Sequence, residues 1–314
     1  MRLGSLIDVG ISLPQRSSEP VTPDEIVTIA RRAEAAGFKD LWVSETTLDR
    51  SFCLDSSLVL ATAAAVTTRI RLGVSVIVLP VRHPAHVAHQ LASLDHLSGG
   101  RATLGVGIGR NQHYEQFRVA IDRRVRRFIE GIELIRALWT EEQVDYVGKI
   151  YRLESAAMRP KPVQDPLPIW LGGNHPDAVR RAAVIGDGWM GAGSLPATDY
   201  RPRVTSLHEA LEEAGRDPAT FAISKRLYVA IDDDSVSARA DLHHWFANVY
   251  GAPDRLEDAG VYGTAEQVAD QLSSFVDDGA THLLLHPVAR HEEQLEALTE
   301  LAFGTVGRRE DDAS

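Results

Sequence analysis

Short apolar runs alternate with longer amphipathic runs along almost the whole chain. The short runs predict strands over residues 3–13, 40–45, 70–79, 102–109, 169–171, 189–192, 222–231 and 282–288. The longer runs predict the principal helices over residues 22–37, 54–66, 84–94, 123–139, 175–186, 199–214, 264–276 and 292–302. Strands with few polar residues are typical of a parallel sheet that helices cover. The chain therefore predicts an α/β fold in which each strand is followed by a helix.

The number of these units narrows the fold further. Eight strands and eight helices within 314 residues fit a (β/α)8 TIM barrel with insertions in its βα loops. An open, doubly wound sheet is the alternative. Helix starts support the division, because Thr22-Pro23-Asp24-Glu25 and Thr264 with Gln267 both have the spacing of a capping box. In a barrel, ligands bind where the strands end and the βα loops begin.

Two longer excursions interrupt the alternation. Residues 146–151 predict a small hairpin, and the acidic stretch 232–262 predicts an insertion that contains some helix. No linker rich in proline, serine and glycine divides the chain, so we expect residues 1–306 to form a single barrel domain. Residues 307–314 are charged, and we expect them to form a disordered tail.

The stretch Pro168–Ser194 is a candidate binding unit within this pattern. A short apolar run ends in Gly172-Gly173, and a helix then starts at His175-Pro176-Asp177. Adjacent glycines allow close approach of the backbone to a ligand, and the free N–H groups of a helix start favour an anion, typically phosphate. The alternative is a tight turn that needs glycine for its shape alone. Neither G-x-G-x-x-G nor Walker spacing is present.

Composition excludes several classes of partner and compartment. A net charge of −11 argues against nucleic acid and against an anionic membrane surface. The single cysteine, Cys53, rules out an intrachain disulfide and is compatible with a reducing compartment. No secretory leader and no apolar run of membrane-spanning length is present, so we expect a cytoplasmic protein.

Four longer motifs resemble a known family. They are L-G-V-S-V-I-V-L-P-V-R-H-P at 72–84, L-D-H-L-S-G-G-R-A-T-L-G-V-G-I-G-R-N at 94–111, R-P-K-P-V-Q-D-P-L-P-I-W-L-G-G at 159–173 and A-A-V-I-G-D-G-W-M at 182–190. In this order they resemble the luciferase-like monooxygenase superfamily, and most closely its branch that uses the deazaflavin coenzyme F-420. The resemblance implies a barrel that binds a flavin or deazaflavin at its carboxyl rim, often as a homodimer.

The resemblance also implies roles for individual positions. Ser75-Val76 matches a non-prolyl cis peptide that forms a bulge behind the flavin-like ring; an ordinary trans strand is the alternative. Gly172, Gly173 and Asn174 match a phosphate-binding turn. The residues implied in cofactor binding, together with one small rim residue, are Glu45, Thr46, Ser75, Val76, Asn111, Gly172, Gly173, Asn174 and Ser194.

The catalytic candidates depart from the family pattern at one position. Relatives that dehydrogenate sugar phosphates have histidine after the acid of the second strand, where this chain has Thr46 after Glu45. Without that base, sugar-phosphate dehydrogenation is not expected. Glu45 either acts as acid or base or orients the turn. His83 is a second catalytic candidate, or simply the cap of the third helix.

Three other histidines carry weaker predictions. His86 and His89 follow His83 at three-residue spacing, but no carboxylate or cysteine lies close in sequence, so we predict no metal site. His286 ends the last strand, where it either packs in the barrel wall or contacts a substrate.

These observations predict an F-420-dependent oxidoreductase. It would transfer a hydride between the deazaflavin and a small organic substrate at the carboxyl rim. One alternative is an FMN-dependent two-component monooxygenase of the luciferase or alkanesulfonate type, supplied with reduced flavin by a separate reductase. The other is a protein that binds the cofactor without turnover.

Overall fold

The computed structural model describes residues 2–304, and the predicted disordered tail at 307–314 lies outside the described residues. Within residues 2–304, eight parallel strands form a closed barrel. We label them β1 to β8 in chain order: Asp8–Ser12, Asp40–Val43, Arg71–Val78, Ala102–Gly107, Ile169–Gly172, Gly188–Gly191, Ala222–Ile231 and His282–Pro287. Each strand pairs with the next, and β8 pairs with β1. The predicted (β/α)8 barrel is confirmed, and the open sheet is wrong.

The principal helices surround the barrel, one after each strand. We label them α1 to α8: Pro23–Ala36, Ser56–Val66, Pro84–Ser98, Arg124–Thr140, Pro176–Ile185, Ala197–Glu213, Ala265–Asp277 and His291–Phe303. Both predicted capping boxes are present, at Thr22 with Glu25 and at Thr264 with Gln267. The apolar faces of these helices pack on the outward side chains of the strands in one continuous core. None of the helices between residues 2 and 304 has the length and apolar character needed to cross a bilayer.

Smaller elements occupy the loops. They are a two-strand ribbon of Arg16–Ser17 with Phe52–Cys53, the hairpin Val144–Val147 with Arg152–Ala156, the helices Asn111–Gln116, Ser235–Trp245 and Leu256–Ala259, a π turn Phe246–Tyr250, and 3-10 turns at Leu3–Ser5, Leu79–Val81, Pro218–Thr220 and Pro253–Arg255. The hairpin prediction is confirmed with longer strands than expected. The ribbon and the helix Asn111–Gln116 were not predicted.

Two strand predictions are corrected. β1 starts at Asp8 rather than at residue 3, because Leu3–Ser5 forms a 3-10 turn packed against the end of α8. There is no room for a side chain at Gly4, where a Cβ atom would lie 2.3 Å from the Phe303 ring. In addition, the 232–262 insertion ends in a strand, Gly260–Gly263, that pairs with the far half of β7, Tyr228–Ile231. The ten-residue β7 is therefore long enough to pair with its two barrel neighbours and also with the strand of the insertion.

Candidate functional site

A cavity of about 1530 Å³ opens at the carboxyl ends of the strands. Every residue predicted to contact the cofactor lines it: Glu45, Thr46, Ser75, Val76, Asn111, Gly172, Gly173, Asn174 and Ser194. These residues come from separate parts of the sequence and meet because parallel barrel strands end on one rim. The structure thus brings the predicted set together, while the role of each residue stays a prediction.

The cavity floor is formed at β3 by the Ser75–Val76 peptide bond. That bond is cis, as the resemblance implied, and the pairing of β3 with β4 shifts register between Val74 and Ile77, so the strand bulges there. A Cβ atom at Gly107 would lie 2.7 Å from Val76 Cγ2, and one at Gly172 would lie 3.0 Å from Val76 Cγ1. The glycines at the ends of β4 and β5 therefore make room for the Val76 side chain.

One side of the cavity is the turn between β5 and α5. Gly173 has φ +156°, and a Cβ atom there would lie 2.7 Å from Ala178 Cβ, so the turn requires glycine. Asn174 Oδ1 accepts a hydrogen bond from Ala192 N at 3.1 Å, which joins this turn to the loop after β6.

Backbone N–H groups of both segments remain available at the cavity. Those of Asn174, His175, Gly193 and Ser194 donate to no acceptor within residues 2–304. All four residues line the cavity, and His175 is the N-cap of α5. Free amides at a helix start form the arrangement that binds phosphate.

The loop after β6 is held from beneath by Lys225 of β7. Its ammonium donates to the carbonyl oxygens of Ala192 and Leu195, each at 2.9 Å, and the residue is only 1% exposed. Ser194 lies between those two carbonyls, so Lys225 fixes the backbone that faces the cavity. Burial lowers the pKa of the Lys225 ammonium to about 7.

This buried ammonium predicts a pH-dependent stability. Between pH 7 and about 10 the unfolded chain holds a proton on this lysine that the folded chain releases, so the free energy of unfolding gains up to about 1.4 kcal/mol per pH unit. We expect Lys225→Met to lose that gain in urea unfolding measured from pH 7 to 9.5. Lys39→Met, at a half-exposed lysine paired with Asp8, should keep the wild-type slope. Identical slopes in Lys225→Met and wild type would contradict the assignment.

The cavity is rich in positive charge although the chain is acidic overall. Its lining includes Arg16, Arg50, Arg110, Arg124, Arg181, Arg226 and Arg255. The acidic lining residues are Glu45, Asp49 and Asp177. Arg16 forms an ion pair with Asp49, while the buried Nε atoms of Arg181 and Arg226 have no hydrogen-bond partner within the described chain. The guanidinium groups of this lining favour an anionic ligand.

Glu45 is oriented on both of its carboxylate oxygens. Oε2 accepts a hydrogen bond from Val78 N at 2.7 Å, and Oε1 forms an ion pair with Arg82. Burial raises the pKa of Glu45, and Arg82 opposes part of that shift. Thr46 Oγ1 donates to the Glu45 carbonyl oxygen at 2.8 Å. The carboxylate therefore ties the end of β2 to the end of β3, which favours the orienting role.

We expect Glu45→Gln to keep turnover within about tenfold of wild type, because an amide oxygen can still accept from Val78 N. Loss of the charged contact to Arg82 should lower the free energy of unfolding by about 2 kcal/mol. Steady-state kinetics and urea unfolding check these values. We expect Glu45→Ala to lose more of both the turnover rate and the free energy of unfolding. If turnover instead falls at least about 100-fold while stability is unchanged, Glu45 is the acid or base.

His83 does not reach the cavity. It is the N-cap of α3, its Nδ1 accepts from Ala85 N at 3.3 Å, and its ring packs edge-on against Tyr151. The structure therefore gives the capping alternative and offers no contact for a catalytic role. His286, by contrast, lines the cavity.

A further wall of the cavity, next to the loop after β6, was missed by sequence reasoning. It consists of Tyr228 of β7 with Trp245 and Tyr250 of the insertion, whose rings pack with centroids 4.4 to 5.6 Å apart. Arg226, two residues earlier on the same strand, donates to Ser75 O at 2.8 Å. The adjacent charges Lys225-Arg226 inside an otherwise apolar strand were the available signal, because a charge in such a strand needs a partner.

Comparisons with known proteins give a family model and relatives that match most of the chain. The family model described as luciferase-like monooxygenase matches residues 1–282. An F-420-dependent glucose-6-phosphate dehydrogenase of Nakamurella multipartita is 28% identical, over 90% of this chain and 92% of that protein. An F-420-dependent hydroxymycolic acid dehydrogenase of Mycobacterium tuberculosis is 31% identical, over 79% of this chain and 70% of that protein.

Solved structures share the fold. An F-420-dependent secondary alcohol dehydrogenase in complex with an F-420–acetone adduct superimposes with a TM-score of 0.82 at 20% identity, over 94% of this chain and 98% of that chain. A monooxygenase from Streptomyces bottropensis gives 0.83 at 23% identity with the same coverage. At these identities the likeness concerns the barrel alone.

Proposed function

Because the chain belongs to the luciferase-like monooxygenase family, we propose that it is an oxidoreductase that uses coenzyme F-420 to exchange a hydride with a small organic substrate. The observation that carries the proposal is one cavity that joins the Ser75–Val76 bulge to the Gly172–Asn174 turn. Relatives named as F-420-dependent dehydrogenases support the choice of cofactor.

The residues present fit such a cofactor. A planar ring would rest on the Val76 side chain, and the free amides of Asn174, His175, Gly193 and Ser194 would hold a phosphate. Arg181 lies on the helix that follows that turn and lines the cavity, and it would pair with further negative charge. The bound deazaflavin would supply the hydride chemistry, and the protein would orient the reactants and exclude water.

Titration with two cofactors tests the proposal. We expect oxidised F-420 to bind the purified protein more tightly than FMN, as measured by quenching of cofactor fluorescence. When either reduced cofactor is added, the rate of oxygen consumption should equal the rate measured without the protein. Oxygen uptake that requires both the protein and reduced flavin would favour the two-component monooxygenase. Tight F-420 binding without turnover on a broad substrate panel would favour a binding protein.

The homodimer implied by the family resemblance belongs to the same proposal. Light scattering on the purified protein checks it, and a monomer at micromolar concentration would remove it.

A further inference from the structure

We propose that His286 donates its Nε2–H to the oxygen of the substrate, and that the substrate is a carbonyl compound such as a ketone or a conjugated enone. The inference rests on the proposed function, because reduction of a carbonyl needs the reduced deazaflavin as hydride donor. It adds a residue and a substrate class that neither the glycine turn nor the Ser75–Val76 bulge defines.

The hydrogen bonds of His286 fix which nitrogen carries the proton. Nδ1 lies 2.8 Å from Arg226 Nη2 and 2.9 Å from Ser12 Oγ. A guanidinium has no acceptor atom, so Arg226 must donate and Nδ1 must accept. In a neutral imidazole the single proton is then on Nε2.

The surroundings keep this ring neutral. Burial and the Arg226 guanidinium lower the pKa of His286 well below its ordinary value, and His291 and Arg16 act in the same direction. The aromatic rings of Tyr228 and Trp245 also pack against it, with centroids 5.2 and 5.4 Å away. A neutral ring that already accepts at Nδ1 is a donor at Nε2 and cannot serve as a base.

That donor is available to a molecule in the cavity. His286 lines the cavity, and its Nε2 makes no hydrogen bond to any residue from 2 to 304. An unpaired donor at the cavity surface is free to bond to a ligand oxygen that accepts this proton. Arg226 bonds His286 and the Ser75 carbonyl oxygen together, at 2.8 Å each. The donor is therefore held in fixed relation to the cavity floor.

The resulting step balances as follows. The substrate carbon would gain a hydride with its electron pair from a bound reduced deazaflavin, which would be oxidised in turn, and the C=O π pair would move onto oxygen. The Nε2–H bond stabilises the negative charge that develops on that oxygen, and water then supplies a proton. In an enone the hydride adds to the β-carbon, and the enolate oxygen is the atom that His286 holds. A neutral imidazole is known to polarise carbonyl groups in this way.

Nitrogen-15 NMR of histidine-labelled protein with bound F-420 tests the donor directly. We expect His286 to show a protonated Nε2 and an unprotonated Nδ1 throughout pH 6–8.5, the signal being assigned by its loss in His286→Asn. Addition of cyclohex-2-en-1-one should shift the Nε2–H proton resonance. An unprotonated Nε2, or no shift with either this enone or acetone, would overturn the inference.

Two variants separate the effect of the Nε2–H donor from the effect of the hydrogen bonds that Nδ1 makes to Arg226 and Ser12. His286→Asn keeps an acceptor for Ser12 and Arg226 but places no N–H at the position of Nε2. His286→Gln reaches that position with an amide N–H. We expect His286→Asn to lower kcat/KM for cyclohexenone reduction about 100-fold, and His286→Gln to restore it to within about tenfold. Both should bind F-420 as wild type does.

The outcomes distinguish the two proposals. Equal losses in His286→Asn and His286→Gln, or no loss in His286→Asn, would show that His286 only packs in the barrel wall. Failure of wild-type protein to bind F-420 would remove the proposed function instead, while the protonation state of His286 would still be measurable in the cofactor-free protein.

Discussion

Gly173→Val is expected to abolish F-420 binding while the barrel stays folded. A Cβ atom at this position would lie 2.7 Å from Ala178 Cβ, and the backbone there has a φ of +156° that side chains rarely adopt. The turn must therefore move, and the N–H groups of Asn174 and His175 move with it. Hydrogen bonds to a charged group contribute about 1.5–3 kcal/mol each, so the loss of two predicts an affinity at least roughly 100-fold weaker.

A matched glycine controls for backbone strain. Gly215 has φ +67° at the end of α6, and a Cβ atom there would meet nothing within 4 Å. We expect Gly215→Val to lower the melting temperature as Gly173→Val does, and to bind F-420 with wild-type affinity in fluorescence titrations. Wild-type affinity in Gly173→Val would remove the phosphate assignment from this turn.

Arg226→Met should produce the second large effect, on stability and on the site together. The Ser75 carbonyl would lose its donor, and His286 Nδ1 would keep only Ser12. Because these groups are buried, we expect the free energy of unfolding to fall by about 3 kcal/mol, measured by urea unfolding at pH 7.5. Since the guanidinium helps to lower the pKa of His286, its removal should raise that pKa.

The two effects have separate readouts. Proton binding by the folded protein at His286 should now begin at a higher pH, which histidine NMR detects as a titration absent from wild type. Arg255→Met is the control, because Arg255 lines the same cavity but is exposed, and within residues 2–304 its side chain donates only to Ser194 O, at 3.3 Å. Its unfolding free energy should change by less than about 0.5 kcal/mol. If Arg226→Met behaves like Arg255→Met, the proposed link between the cavity floor and His286 is wrong.

The barrel, and many of the residues that line its cavity, were predictable from sequence for a geometric reason. Parallel strands in a closed barrel place all their carboxyl ends on one face, so Glu45, Asn111 and Gly173 meet once the strands are correctly assigned. Helix starts carry local chemistry of their own, which is why the Thr22 and Thr264 caps were predicted to the residue.

Contacts between distant side chains were not predictable in this way. Arg226 reaches Ser75 across 151 positions of sequence, and that contact depends on the curvature of the barrel and on the bulge in β3. The strand Gly260–Gly263 is four residues long and bounded by glycine, so it has no periodicity to recognise. His83 looked like a rim residue because it follows β3 closely, but the 3-10 turn Leu79–Val81 leads it away to the start of α3.

The pairing of Gly260–Gly263 with β7 has a consequence for how such a barrel acquires new substrates. The segment that contains Trp245 and Tyr250 therefore begins after β7 and ends in a strand that pairs with β7. The Gly172–Asn174 turn and the Ser75–Val76 bulge belong to other strands. Exchanging residues 235–252 for the equivalent stretch of a relative would then replace these aromatic side chains and leave the Gly172–Asn174 turn, the Ser75–Val76 bulge and the Arg255–Ser194 contact in place. Diversification of this kind needs only one continuous piece of DNA to change.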